Sequence, residues 1–120
     1  MDNTSNEEKL ESIKSFQSSI RKSEKALVQM IEKGANTTLL SKRLKALQIG
    51  LAVLENVWNS IPHEYGKEDL AEAQDILMGL LPSIENIYAK SKAGSPQKTL
   101  LERRIKSIIL SIQAIDGIAD

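Results

Sequence analysis

One helical pattern occurs twice in this chain, and that doubling limits its fold more than any other feature. The segment from Thr38 reads TLLSKRLKALQIGLAVLENV, and the segment from Thr99 reads TLLERRIKSIILSIQAIDGI. At an offset of 61 both open on Thr-Leu-Leu and both place Arg then Lys at equivalent positions (Arg43 and Lys45, Arg104 and Lys106). The apolar positions coincide almost throughout. Upstream, an offset of 60 aligns Leu10 with Leu70, Phe16 with Ile76, Ile20 with Leu80, Leu27 with Ile87 and Gly34 with Gly94. A one-residue difference in the loop after the glycine accounts for the change of offset. Self-similarity of this kind reads as a repeated supersecondary unit, here an αα-hairpin.

The second helix of each copy has the clearest period. Leu40, Leu44, Leu47, Leu51, Leu54 and Trp58 recur at alternating spacings of four and three, and so do Leu101, Ile105, Ile108, Ile112, Ile115 and Ala119. Such a seam lies on one helix face. Ile49, Val53 and Val57 widen the first stripe and Ile109 and Ile118 the second, which suits a bundle core. The first helix is weaker, with Leu10, Ile13, Phe16, Ile20, Leu27, Met30 and Ile31 interrupted by Ser23. The third carries Leu70, Ala73, Ile76, Leu77, Leu80, Ile84, Ile87 and Tyr88.

Gly34 and Gly94 fit left-handed C-caps. Ser95-Pro96 forms an N-cap and first-turn pair, with a competing capping box at Thr99-Leu-Leu-Glu102. Asn36 can cap the second helix. Pro82 falls inside the third helix and predicts a kink or short break near Gly79–Pro82. Neither hairpin can bury its stripe alone. The expected fold is therefore all-α: an antiparallel up-down four-helix bundle built from two duplicated αα-hairpins. Residues 1–7 read as a disordered N-terminus and 8–120 as a single bundle. Repeat one covers about 8–58, the linker 59–66, and repeat two about 67–119. A residual exposed apolar strip would favour a homodimer.

Composition closes off most chemistry. With no Cys and one His in 120 residues, thiolate catalysis, disulfides, Cys-ligated zinc and His-pair metal sites are excluded. The phosphate-loop, dinucleotide, nucleophile-elbow and HExxH patterns are absent. His63-Glu64, in the linker, has no second catalytic partner nearby and reads as a solvated turn. Glu68, Glu72 and Asp75 share a helix face, which an acidic first turn explains as well as a weak cation site does. Trp58 reads as a core or rim anchor; if exposed with Tyr65, it would read as a partner contact. No catalytic residue, cofactor, metal or small-molecule substrate is expected. The opening MDNTSNEEKLES lacks a basic-then-apolar leader and no apolar run is long enough for a membrane span, so a cytoplasmic location is expected.

Charge carries the remaining signal. Lys and Arg together number 16, equal to Asp and Glu, yet the distribution is uneven. Residues 34–60 hold three bases and one acid, and residues 61–94 three bases and six acids. In an aligned up-down bundle the starts of helices two and four would gather Lys42, Arg43, Lys45, Arg103, Arg104 and Lys106 at one end. Glu7, Glu8, Glu11, Glu68, Asp69, Glu72 and Asp120 would gather at the other. The result would be a polar rod. The basic end reads either as a solvated face inherited twice or as a contact for an anionic partner. It lacks the interleaved aromatics that stack single-stranded bases.

The stretches EKGANTTLLSKRLKALQIGLAVLENV and KAGSPQKTLLERRIKSIILSIQAIDG resemble a segment of small uncharacterised helical proteins of Firmicutes that often accompany prophages and other mobile elements. Gly94, Ser95, Thr99, Leu100, Arg104, Ile105 and Lys106 match the recurring pattern, with Ser107 and Ile108 in place of its Ala-Leu pair. Gly34, Thr38, Leu39, Arg43, Leu44, Lys45, Ala46 and Leu47 match it in the first copy, across a shorter loop. The likeness covers under half of the chain. It implies a bacterial, cytoplasmic origin and brings no catalytic residues. The functional expectation is a non-enzymatic helical-bundle interaction protein that binds an anionic macromolecular partner, or itself, through the six basic residues named above. The alternatives are a nucleic-acid-binding accessory protein and a bacteriocin-type immunity protein, the latter by fold analogy alone.

Overall fold

The computed structural model describes residues 4–119 and contains four helices: α1 (Asn6–Glu32), α2 (Thr38–Asn59), α3 (Lys67–Lys90) and α4 (Pro96–Ala119). Local chemistry sets most of their ends. Ser5 caps α1 by accepting from the Glu8 amide at 3.1 Å, so order begins before the expected boundary at residue 8. Residues 1–3 of the expected disordered segment lie outside the described residues. After α1 the chain closes a Schellman turn. Gly34 takes φ +71°, its amide bonds Ile31 O, and the Ala35 amide bonds Met30 O at 2.9 Å. Gly94 is not the C-cap expected of it: α3 ends at Lys90 with Ser91 already extended, and Gly94, at φ +79°, serves a separate turn closed by the Ser95 amide on Lys92 O at 3.1 Å, where a side chain would strain the backbone. Ser95 caps α4 through the Lys98 amide at 3.2 Å, so the helix starts at Pro96 and not at the competing box around Thr99. Asn36 Oδ1 accepts from the Thr38 amide at 2.9 Å.

The chain runs up-down-up-down. Helix α1 packs on α2 and α4, α3 packs on α2 and α4, and α2 also touches α4 across the centre. Exchanging the two hairpins leaves this set of neighbours unchanged. The core comprises Phe16, Ala46, Leu47, Ile49, Val53, Leu54, Leu70, Ala73, Leu77, Ile108 and Ile115. Small residues let the helices close in. A Cβ on Gly50 would come within 2.9 Å of the Phe16 ring and 3.3 Å of Leu77. At the matching positions of α4, Ser107 and Ser111 are buried. Each donates its hydroxyl to a carbonyl three residues back, at 2.8 and 2.7 Å, so neither is an unpaired polar group.

Two further expectations need correction. Helix α3 runs through Pro82 without the short break that was one of the two outcomes expected there. Pro82 and Met78 both lie on the exposed side, so the carbonyl that loses its amide partner faces water, and the penalty for a mid-helix proline falls. The first helix buries the middle of its stripe, with Phe16 in the core and Ile20 packed against it, but not the ends: Ser12 and Ser19 are buried beside Phe16, while Leu10 and Ile31 are 60% and 62% exposed.

Candidate functional site

The basic clusters do not form an unopposed pole. Lys45, in α2, pairs with Asp69 in the first turn of α3 at 3.1 Å. Lys106, in α4, pairs with Glu8 in the first turn of α1, and Arg103 pairs with Glu11 at 3.4 Å. The expected rod is thereby corrected: three of the six basic residues meet acids assigned to the far end. The level at which the packed helices meet gives the reason. Each hairpin's second helix meets the other's first helix through their N-terminal halves, so the acidic opening turns lie over the basic clusters. The overall shape agrees, since the Cα framework measures 45 × 38 × 21 Å, a slab about two helix layers deep at 8–10 Å between axes.

These contacts repeat at an offset of 61 in both partners, as do buried Ser12 and Phe16 with Ala73 and Leu77, which corrects the offset of 60 expected for the first helices. Lys45 and Lys106 are 61 residues apart, and so are Asp69 and Glu8. Glu11 and Arg103 have counterparts at the same spacing in Glu72 and Lys42, which share a small cleft with Lys45 and Asp69. The electrostatic effects follow from the pairs. Lys106 beside Glu8, helped by the Ser5 hydroxyl, holds the Glu8 carboxyl below its ordinary range. Asp69 beside Lys45 raises the ammonium above its own.

The two seams nonetheless close differently. Between α2 and α3 the cleft lined by Ala46, Ile49, Ala73 and Ile76 holds only about 10 Å³. A shallower depression of 200 Å³ beside Leu39, Lys42, Arg43 and Gly79 lies on the same side. Between α1 and α4 a groove of 520 Å³ stays open. Its α1 wall is Glu7, Leu10, Glu11, Lys14, Ser15, Ser18 and Lys22, and its α4 wall is Leu100, Arg103 and Arg104.

Arg104 distinguishes the groove. It is partly buried, and desolvation alone lowers the pKa of its guanidinium. Among the described residues its guanidinium has no acidic or hydrogen-bonding partner. A half-desolvated cation without a counter-charge costs free energy. Lys14 and Lys22 stand exposed on the opposite wall, also without an ion pair. Leu100 is 58% exposed and with Leu10 puts apolar surface among these charges.

The structure thus divides the six basic residues expected at one end. Arg103 and Arg104 enter the α1–α4 groove, with Arg103 satisfied by Glu11. Lys45 and Lys106 bind the hairpins to each other. Lys42 and Arg43 lie along the α2–α3 side, and Arg43 is exposed. The periodicity missed Lys14, Ser15, Ser18 and Lys22. Their signal was the polarity of helix one: a stripe that a fully packed helix would fill with apolar residues carries serines and lysines instead. No cluster of three metal-binding side chains occurs among the described residues. His63 forms a turn, with Nδ1 accepting from the Tyr65 amide at 3.2 Å. Trp58 is partly buried against the core, with the Lys9 ammonium 5.9 Å from its ring. No described helix is long and apolar enough to cross a membrane.

Fold and site together define an all-α four-helix bundle with an open, basic groove of 520 Å³ between α1 and α4 and a smaller basic depression between α2 and α3. No family model, curated protein or solved structure matches the chain.

Proposed function

We propose that this chain is a non-enzymatic, cytoplasmic interaction protein that binds an anionic macromolecular partner along the α1–α4 groove. The observation that carries this reading is Arg104, a partly desolvated guanidinium with no counter-charge of its own beside two unpaired lysines and two exposed leucines. Stability alone gives no reason to keep a charge there. A partner carboxylate or phosphate would supply the missing bidentate acceptor. The internal duplication explains why the same basic residues occur twice: one pair of each set joins the hairpins, and the second copy's Arg104 faces outward into the groove.

A benzoylphenylalanine photocrosslinker placed at Leu100 tests this in lysate of the source organism. The expected result is one principal macromolecular adduct that is lost on Arg104→Glu. No adduct, or an equal yield of the same adduct from Met78 on the outer face of α3, would reject the groove as the binding surface.

A further inference from the structure

We infer that the α1–α4 groove receives an amphipathic helix of a partner protein, acidic along its flank, which packs as a fifth helix against α1 and α4. The inference rests on the interaction reading above and names the occupant. Three features of the groove select a helix.

The first is shape. Leu10, Lys14, Ser18 and Lys22 follow one another at intervals of four along α1, and such a row forms a ridge whose neighbouring furrow accepts the ridge of another helix. From Glu7 to Lys22 the wall runs roughly 22 Å at 1.5 Å per residue, the length of about four helical turns.

The second is apolar anchorage. Leu10 and Leu100, 60% and 58% exposed, line the same groove from opposite walls. They would flank a large apolar side chain of the entering helix, in the way a groove-bound helix presents anchors at i, i+3 and i+4.

The third is charge. With Arg103 and Glu11 satisfying each other, the groove keeps Lys14, Lys22 and Arg104 against Glu7. That excess calls for acids on the occupant. No aromatic side chain lines the groove for base stacking, and nucleic acid fits less well for that reason.

Display selection tests the occupant. A library of helix-forming 16-residue peptides, random at the outward positions, is selected on the immobilised full-length protein. Acidic peptides with Leu or Ile at helical spacing should be enriched. Their affinity should fall at least tenfold on Lys22→Glu, an exposed site that leaves the circular dichroism spectrum unchanged, and again on Leu100→Asp. An unenriched library, enrichment without acidic bias, or equal affinity for Lys22→Glu would overturn the inference. Self-association in sedimentation, or DNA or RNA binding, would overturn it too if abolished by Lys22→Glu. An adduct at Leu100 with an unenriched library would remove the helix and leave the interaction reading standing. An empty crosslink would remove both.

Discussion

The α2–α3 and α1–α4 seams join the same two hairpins through corresponding charges, yet behind the lysine–acid pair the first is tightly packed, with a 200 Å³ depression only beyond it at Leu39 and Gly79, and the second holds a 520 Å³ groove. Both carry a lysine pinned to an acid in the partner hairpin's first turn, Lys45 to Asp69 and Lys106 to Glu8. What differs is the material behind the pair. On the α2–α3 side Ala46, Ile49, Ala73 and Ile76 meet with little space between them. On the α1–α4 side the matching region of α1 supplies Lys14, Ser15 and Ser18, and a 520 Å³ groove remains. The buried core sets which helices meet, and the exposed ion pairs add little to that choice. Only apolar complementarity decides whether the seam closes.

The largest test of this contrast is a pair of truncations. Ile49→Ala on the closed side, where the side chain is 1% exposed, should cost about 2–5 kcal/mol in urea unfolding. Leu100→Ala on the open side should change stability by no more than about 0.5 kcal/mol. Equal effects would show that the two seams are packed alike. Gly50→Val, which drives a branched side chain into the Phe16 ring and Leu77, should cost about 3 kcal/mol by overpacking. A neutral result would mean that α1 can slide on α2, and the distinction between the seams would weaken.

A smaller effect follows from pH. The folded-state pKa of Glu8 lies below its unfolded value because of Lys106 and Ser5. Its contribution is therefore present above the unfolded carboxylate pKa and is lost as pH falls through the lower folded value. Lys45 behaves oppositely, since its folded pKa is raised by Asp69. Its contribution is present below the unfolded lysine pKa and is lost as pH rises through the folded value. Both pairs are solvent-screened, so the effects are small. Glu8→Gln should flatten the acid limb of the urea-midpoint profile and leave the alkaline limb unchanged, and Lys45→Gln should flatten only the alkaline limb. Crossed effects would contradict the assignment of the pairs.

Most of the fold was legible in the sequence because its signals are local or periodic. The second helices of the two copies carried strong stripes, and Leu44, Leu47, Leu54, Leu101, Ile108 and Ile115 are buried as their spacing required. Gly34 and Ser95 marked ends that depend on residue chemistry alone, whereas Gly94 marked only a turn between α3 and α4. The relative slide of the hairpins was not legible. Periodicity places a residue on a face but carries no information about level along a neighbouring helix. Matching helix ends by loop length put Glu8 and Lys106 at opposite poles, whereas the packed helices bring them within ion-pair reach. The site followed from that slide. Arg103 and Arg104 stood out as a basic cluster, but their companions Lys14 and Lys22 lay in the weakest stripe of the chain, where polar interruptions looked like noise. Pro82 misled for a related reason, because its cost depends on which side of α3 faces water.

In the proposed function Arg104 is held for a partner and not for the fold. Arg104→Met keeps the length of the side chain and removes the unpaired charge, and its urea unfolding midpoint, read beside the yield of the Leu100 crosslink, tests that claim most directly. We expect stability unchanged or raised by up to about 1 kcal/mol, with the crosslinked adduct lost. A fall in stability of more than about 1 kcal/mol, or an undiminished adduct, would show that Arg104 serves the bundle itself.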